Sequence, residues 1–139
     1  MDSELIPLNF NKILQSRSYT TIILGNEHKR FAIYMEPRVG EYIQTFLADD
    51  SPPRPYTYDL FNSILHELDV KILQVVVTDI EDTIYFTRLF LEQVIGDERR
   101  ILEVDSRPSD CIPLAIMNNI PLFCRKEIFE KTLAIEEEA

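Results

Sequence analysis

The alternation of apolar and polar residues predicts strands along much of the chain. Apolar residues alternate with polar ones from Ile6 to Phe10, which indicates a strand. Pro7 predicts that this strand lies at a sheet edge, because proline cannot donate a ladder hydrogen bond. Short apolar, β-branched runs bounded by turn residues predict further strands. These cover residues 19–24, 31–35, 70–78, 83–91, 100–104 and 121–123, with turns at 25–28, 79–82 and 96–98.

Apolar residues spaced three and four positions apart predict the helices. The first helix begins at Pro37, and its apolar stripe consists of Val39, Tyr42, Ile43, Phe46 and Leu47. The second helix ends near Asp69, and its predicted buried face consists of Leu60, Phe61, Ile64, Leu65 and Leu68. A loop containing three prolines, within residues 49–55, separates the two helices. A last short helix is predicted at about 126–133.

A third helix is predicted after Arg107, and it is apolar on nearly every side. Its residues 111–117 include almost no polar side chain, which predicts burial between two layers. Pro113 lies within this segment and removes one helical hydrogen bond. The sequence therefore predicts either a later start of this helix or a bend at Pro113.

The two halves of the chain resemble each other. Residues 24–37 align with residues 95–108 at an offset of 71, and Gly25, Glu27 and Pro37 match Gly96, Glu98 and Pro108. Each segment crosses a turn, forms a strand and enters a helix. We therefore predict an internal β-β-β-α duplication. Antiparallel strands with helices packed on them predict an α+β fold with a mixed, largely antiparallel sheet.

Length and composition predict one acidic globular domain. The chain has 139 residues, 45% of them hydrophobic, and a formal net charge of −10. This suits a single domain over residues 1–139, with a core of about 4–124 and a solvated acidic tail of about 134–139. The charge counts against a general nucleic-acid binder, because an acidic surface does not attract phosphate at long range.

Targeting features and cysteines predict a cytoplasmic protein. Met1 is followed by acidic and polar residues, which is not typical of a signal peptide, and no apolar run is long enough to cross a membrane. We therefore expect no membrane partner. Cys111 and Cys124 lie in apolar runs without metal-ligand spacing, which predicts reduced core residues. The absence of glycine-rich phosphate motifs predicts that no nucleotide cofactor is bound.

The densest group of chemically capable residues lies where the third helix begins. Asp105, Arg107, Ser109 and Asp110 occupy a strand-to-helix junction, where free amides and carboxylates favour binding of phosphates or metals. The same residues also suit a structural role, because Ser and Asp satisfy the first amides of a buried helix. In that interpretation, Arg107 pairs with Asp105 or Asp110. Both interpretations remain open.

Other polar groups carry weaker signals. Asp79, Glu81 and Asp82 form an acidic turn that offers oxygen ligands to Mg²⁺ or Mn²⁺, although turns are commonly acidic. His28 and His66 are expected to be exposed rather than to act as general bases. Tyr58 is expected to contribute to packing.

Several segments together resemble the bifunctional nuclease domain family. The resemblance rests on RPSDCIPLAIMNNIPLF, on YTYDLFNSIL followed by VKILQVVVTDIEDTIYFTRLFL, and on ILGNEHKRFAIYMEPRVGEYIQTFL. It covers about residues 19–123. The family implies a compact α+β domain that self-associates, with nuclease action on DNA and RNA. Where the family usually has a histidine before the aspartate that opens the middle helix, this chain has Tyr58 before Asp59.

Two functions follow from these observations. The first is a metal-assisted nuclease, in which Asp105 and Asp110 are candidate ligands of a divalent metal such as Mg²⁺ or Mn²⁺. Asp59 or Asp79 would join them if the fold brings them close, and Arg107 would hold the phosphate. The second is a non-catalytic, homo-oligomeric binding or regulatory module that keeps the same fold. The acidic charge and the missing histidine favour the second.

Overall fold

A computed structural model describes residues 4–135 as seven strands and four helices. The first half consists of β1 (Leu5–Gln15), β2 (Thr20–Gly25), β3 (Arg30–Met35), α1 (Pro37–Leu47) and α2 (Thr57–Glu67). The second half consists of β4 (Val70–Glu81), β5 (Ile84–Ile95), β6 (Glu98–Ser106), α3 (Pro108–Asn118), β7 (Leu122–Arg125) and α4 (Lys126–Lys131).

All seven strands belong to one mixed sheet. Their order is β3-β2-β1-β7-β4-β5-β6, and β3 and β6 are the edges. Among the strands described in residues 4–135, β4 and β7 are the one parallel pair, and the other neighbours are antiparallel. Short hairpin turns join consecutive antiparallel strands, whereas the parallel pair requires a longer connection, which passes through α3. The predicted α+β class with a largely antiparallel sheet is confirmed.

The sheet bends strongly around β1. Residues 5–8 of this strand pair with β7, residues 9–15 pair with β2, and the register shifts between Phe10 and Lys12. Strands β3 and β5 are five places apart, which is about 24 Å in a flat sheet. The rings of Phe31 on β3 and Tyr85 on β5 nevertheless stack with centroids 5.7 Å apart. The two ends of the sheet therefore face each other across the core.

The helix α3 is the most deeply buried helix of the fold. Residues 111–115 are all buried, and the helix contacts α1, β3, β4 and β5. Burial on several sides explains why its sequence is apolar all round. The helix begins at Pro108, where a proline costs no hydrogen bond, and continues past the buried Pro113. The predicted burial is confirmed, and the predicted later start is wrong.

The prediction that Pro7 marks an edge strand is wrong. The strand β1 lies between β2 and β7. Its Pro7 segment pairs with β7 alone, because the pairing with β2 begins at Asn9. One side of β1 is therefore free of ladder hydrogen bonds around Pro7, which is the condition that proline requires.

The predicted buried face of α2 is also wrong in part. Leu65 is buried and Phe61 packs against the core, whereas Leu60, Ile64 and Leu68 are about half exposed. Phe46 and Leu47 of the α1 stripe are exposed as well. The periodic pattern identified both helices, but the described residues cover only about half of the surface of these side chains.

The predicted turn at 79–82 is wrong for most of its length. Asp79, Ile80 and Glu81 continue β4, and the hairpin turns at Asp82 and Thr83. Asp82 has a positive φ of 56°, which short polar residues tolerate better than most. The acidic residues are therefore spread along a strand instead of converging in a loop.

The proposed duplication agrees with the element bounds but stays a prediction. The helices α1 and α3 each have 11 residues and begin at the matched prolines Pro37 and Pro108. Each follows a strand that closes a three-stranded meander. Of the predicted acidic tail, only 134 and 135 are described, and the Ile135 amide donates to the Arg30 carbonyl. The remainder lies outside the described residues.

The close packing of α1 on β2 predicts that Gly40→Ala destabilises the protein. The Gly40 amide donates to the Thr20 hydroxyl, and a Cβ at Gly40 would lie 2.5 Å from that oxygen and overlap the Gln15 side chain. We expect a loss of about 1–3 kcal/mol in the free energy of unfolding, because the Gln15 and Thr20 side chains must leave their hydrogen-bonded positions or the helix must shift away from the sheet. Urea denaturation measures it. Gln44→Ala, at an exposed position of α1, is the control, and equal stability of both variants would contradict this packing.

Candidate functional site

The junction between β6 and α3 is held by a reciprocal cap. The backbone amide of Arg107 donates to Asp110 Oδ2 over 3.0 Å, and the Asp110 amide donates to the Arg107 carbonyl over 2.9 Å. Asp110 thereby satisfies an amide at the start of the helix. Ser109 is the second helical residue, and its side chain does not cap the helix.

Arg107 and Asp110 also form a two-point ion pair. The guanidinium Nε and Nη2 donate to the two carboxylate oxygens of Asp110 over 3.1 and 2.9 Å. The hydrogen bonds from Arg107 lower the pKa of Asp110 and in turn raise the pKa of Arg107. The Arg107 side chain remains 75% exposed. A guanidinium has five donors, so several N–H groups remain for another anion.

Buried hydrogen bonds between β5, the end of β6 and α3 hold the junction in place. The Thr87 hydroxyl of β5 donates to the Ser106 carbonyl over 2.5 Å, and the Cys111 thiol lies 3.1 Å from the same hydroxyl. Burial raises the pKa of Cys111, so this thiol stays protonated and acts as a weak donor. Cys111 and Cys124 are both buried and free, which confirms their prediction as unpaired core residues.

Two pockets border the junction, and they share none of its residues. The smaller one, here called the Asp105 pocket, lies between α2, β6 and α3, has a volume of about 300 Å³, and is lined by Tyr58, Phe61, Val104, Asp105 and Asp110. The Tyr58 hydroxyl donates to the Ser109 carbonyl over 2.6 Å. Burial, followed by the charge of Asp110, raises the pKa of Tyr58 to about 12. The neutral Tyr58 hydroxyl therefore links α2 to α3 through this hydrogen bond.

The larger pocket lies between β3, the start of β5 and α3. It has a volume of about 560 Å³ and is here called the tyrosine pocket, lined by Tyr34, Glu36, Tyr85, Arg107 and Ser109 together with Ser18, Ile33 and Met35. Burial raises the pKa of Tyr85 to about 12. Glu36 lines this pocket together with Arg107, whereas Asp105 and Asp110 line the smaller one.

The structure separates the predicted site residues. Arg107 and Ser109 line the tyrosine pocket, and Asp105 and Asp110 line the Asp105 pocket. Asp59 lines neither, and its carboxylate accepts the Tyr56 amide over 2.8 Å at the start of α2. Asp79 lies on β4 and accepts the Ile80 amide. His28 and His66 are exposed, as predicted.

Tyr34, Glu36 and Tyr85 were missed by the sequence analysis. Each lies on or beside a strand whose local pattern indicates only a strand. The pocket that unites them depends on the bending of the sheet, which joins residues about 50 positions apart in sequence. The alternation along β3 places Tyr34 on the face opposite the buried Phe31, Ile33 and Met35, and that alternation was the signal available in the sequence.

The carboxylates do not assemble into a metal centre of protein ligands. Within residues 4–135, no three His, Cys, Asp or Glu side chains lie together as a set that could hold a metal ion. The Asp105 carboxylate accepts no hydrogen bond from this part of the chain, but Asp110 is already engaged by Arg107. These residues do not fit a divalent metal site, so no chemical step is assigned to one.

The fold and the junction define a class of domain. It is an α+β domain with a curved mixed sheet and a buried helix that begins in Arg-Pro-Ser-Asp. The family model of the bifunctional nuclease domain matches residues 22–137. The chain belongs to this family, which confirms the resemblance inferred from its sequence.

Curated relatives support the same family at greater distance. An uncharacterised protein of Mycobacterium tuberculosis strain H37Rv is 25% identical over 89 residues, which cover 63% of this chain and 50% of that protein. Bifunctional nuclease 1 of Oryza sativa subsp. japonica and a bifunctional nuclease of Oryza minuta are each 28% identical over 76 residues. That match covers 55% of this chain and 23% of either rice protein. The chain therefore spans half or less of the relatives' length.

No helix in residues 4–135 has the length and hydrophobicity required to cross a lipid bilayer. The predicted cytoplasmic location stays a prediction.

The ion pair predicts a pH-dependent contribution of Asp110 to stability. Folding lowers the pKa of Asp110. The stabilisation by its ionised carboxylate is therefore complete above the unfolded pKa of about 3.9. It is lost as the pH falls through the lower pKa of the folded protein. Asp110→Asn should therefore destabilise the protein at neutral pH by about 0.2–1 kcal/mol, because asparagine keeps an oxygen that accepts the Arg107 amide but loses the charge that pairs with the exposed guanidinium. The difference from the parent should shrink below about pH 4.

Urea denaturation of both proteins between neutral and acidic pH measures this difference. Asp97→Asn, in an exposed hairpin turn, is the control. A difference that stayed constant down to the lowest pH would contradict a structural role for the Asp110 charge.

Proposed function

We propose that this domain hydrolyses phosphodiester bonds of nucleic acid in the tyrosine pocket. The observation that carries the proposal is Arg107, whose guanidinium is fixed by Asp110, largely exposed, and placed at the pocket beside Ser109 and Glu36. Family membership supports it, because the rice relatives in the same family are named bifunctional nucleases.

Each pocket residue has a distinct role in this proposal. The remaining N–H donors of Arg107 bind the phosphate and stabilise the charge that grows on it during reaction. Glu36 accepts the proton of a water molecule as that water attacks phosphorus. The bond from phosphorus to the leaving sugar oxygen breaks, and that oxygen takes a proton from solvent. Asp110 is a positioning residue, because it acts through Arg107.

Asp105 is the alternative to Glu36 as the carboxylate that accepts the proton of water. It is exposed and lines the neighbouring pocket, so it would reach only a substrate that extends across the junction. Comparing Glu36→Gln with Asp105→Asn identifies which side of α3 carries the chemistry.

The test is cleavage of single- and double-stranded DNA and RNA with Mg²⁺, Mn²⁺ or EDTA. We expect Arg107→Ala to lower the rate about 100-fold or more and Glu36→Gln by roughly 100- to 10,000-fold. Arg54→Ala, an exposed arginine outside both pockets, should leave the rate unchanged. Identical purification of every variant matters, because a contaminating nuclease would cut equally in all of them. Equal cleavage by all variants, or none by the parent, would contradict the proposal.

A second candidate function is that of a homo-oligomeric binding module, and the edge strand β6 favours it. Seven of its nine residues are exposed, including the apolar Ile101 and Val104. Unpaired edge strands readily pair with another chain. Beside it, α2 exposes Leu60, Ile64 and Leu68 along one face.

The charges of β6 suit pairing with a second copy. Arg99 lies two residues before Ile101, and Glu103 lies two residues after it. An antiparallel pairing around a two-fold axis at Ile101 places Arg99 of each copy opposite Glu103 of the other. Symmetry forms this ion pair twice, in exchange for the contacts of Arg99 with Glu92 and of Glu103 with Arg88 within one chain. This pairing also places the exposed Ile101 of one copy opposite Ile101 of the other.

Sedimentation velocity tests this assembly. We expect the parent to sediment as a dimer at micromolar concentration and Ile101→Lys to sediment mainly as a monomer. Leu14→Lys introduces the same charge at a comparably exposed apolar position on β1 and should leave the dimer intact. A monomeric parent, or equal behaviour of the two variants, would rule out pairing through β6.

A further inference from the structure

Tyr34 is an exposed aromatic residue on the wall of the tyrosine pocket. It lies on the edge strand β3 between the buried Ile33 and Met35, and it is 64% exposed. Its ring meets that of Tyr19 edge to face, with centroids 5.3 Å apart. This contact restricts the Tyr34 ring without burying it. A restrained and exposed aromatic ring is suited to stacking against a flat ligand.

The rest of the pocket combines apolar and polar residues. The exposed Ile84 supplies apolar lining, whereas Arg107, Ser109 and Glu36 supply charged and hydrogen-bonding groups. The volume of about 560 Å³ lies within the usual range for small-molecule sites, roughly 300–1,000 Å³. An apolar slot beside a guanidinium matches a ligand with a flat ring at one end and a phosphate at the other.

We propose that the tyrosine pocket binds one unpaired nucleobase against Tyr34, with its adjacent phosphate on Arg107, so that the substrate class is single-stranded nucleic acid. This inference rests on the proposed function and names the substrate of the same site. It assigns Tyr34 a role in binding and leaves the reaction to Arg107 and Glu36.

A base within a duplex does not fit this arrangement. It is stacked on both faces and paired along its edge, so it enters a concave pocket only after extrusion from the helix, which costs free energy. A single strand presents its bases without that cost, and stacking on an aromatic side chain is largely independent of sequence. The pocket therefore distinguishes single strands from duplexes, but it does not distinguish one base from another.

The acidic charge of the protein is compatible with a local mode of recognition. A net charge of −10 gives no long-range attraction for the closely spaced phosphates of a duplex. Recognition through one stacked base and one phosphate requires only a local pocket. Affinity then depends on Tyr34 far more than it would for a protein that binds along the backbone.

The experiment measures binding with a short DNA strand that carries 2-aminopurine, alone or annealed to its complement, in EDTA at low temperature. Stacking quenches the fluorescence of this base. We expect the single strand to bind and the duplex to bind at least 10-fold more weakly. Tyr34→Ala should weaken binding of the single strand roughly 5- to 100-fold, as loss of one stacked base does, whereas Tyr34→Phe should keep it. Phe46→Ala removes an exposed aromatic outside the pocket and serves as the control.

The results separate this inference from the proposed function. Tyr34-dependent binding of the single strand by a protein that cuts nothing would support the inference and reject hydrolysis. Cleavage that depends on Arg107 but is equal for single strands and duplexes, and unchanged in Tyr34→Ala, would overturn the inference and leave hydrolysis standing. Equal affinity of Tyr34→Ala and the parent would also overturn it, provided that circular dichroism shows both folded.

Discussion

The bend of the sheet at β1 is the constraint on which the candidate site depends. Because β1 pairs with β7 along its first part and with β2 along the remainder, the β1-β2-β3 meander turns back over the core. The stacked rings of Phe31 and Tyr85 hold the two ends of the sheet together. The tyrosine pocket exists only in this bent form, since its walls come from β3 and β5.

The buried helix α3 places the junction residues next to the pocket that this bend forms. Its apolar residues fill the space between the sheet and α1, so its first turn is fixed at the rim of both pockets. The cap formed by Asp110 then determines where Arg107 points. The structural and functional interpretations of Asp105 to Asp110 are therefore compatible, because the residues that begin the helix also orient its exposed guanidinium.

Local features of the sequence predicted the elements well and their assembly less well. Pro37 and Pro108 located the starts of α1 and α3, since proline suits the first helical turn. The prediction of an edge strand from Pro7 was wrong because proline requires only that one side of its own segment be unpaired. In β1, that segment belongs to an interior strand. The prediction that Leu60, Ile64 and Leu68 are buried was wrong because helical periodicity locates an apolar stripe but does not show how much of it the rest of the chain covers. The junction was predicted as a candidate site, but Tyr34 and Tyr85 were not, since only the closure of the sheet brings them to Arg107.

The central claim is that nucleic acid binds in the tyrosine pocket beside Arg107. The most direct measurement is a titration of the isotope-labelled protein with a short single-stranded oligonucleotide, followed by the chemical shifts of its backbone amides. The account predicts the largest shifts at Ser18, Tyr34, Glu36, Arg107 and Ser109, around one pocket. Shifts confined to β6 and α2, or no shifts at saturating oligonucleotide, would contradict it and favour the oligomeric binding module.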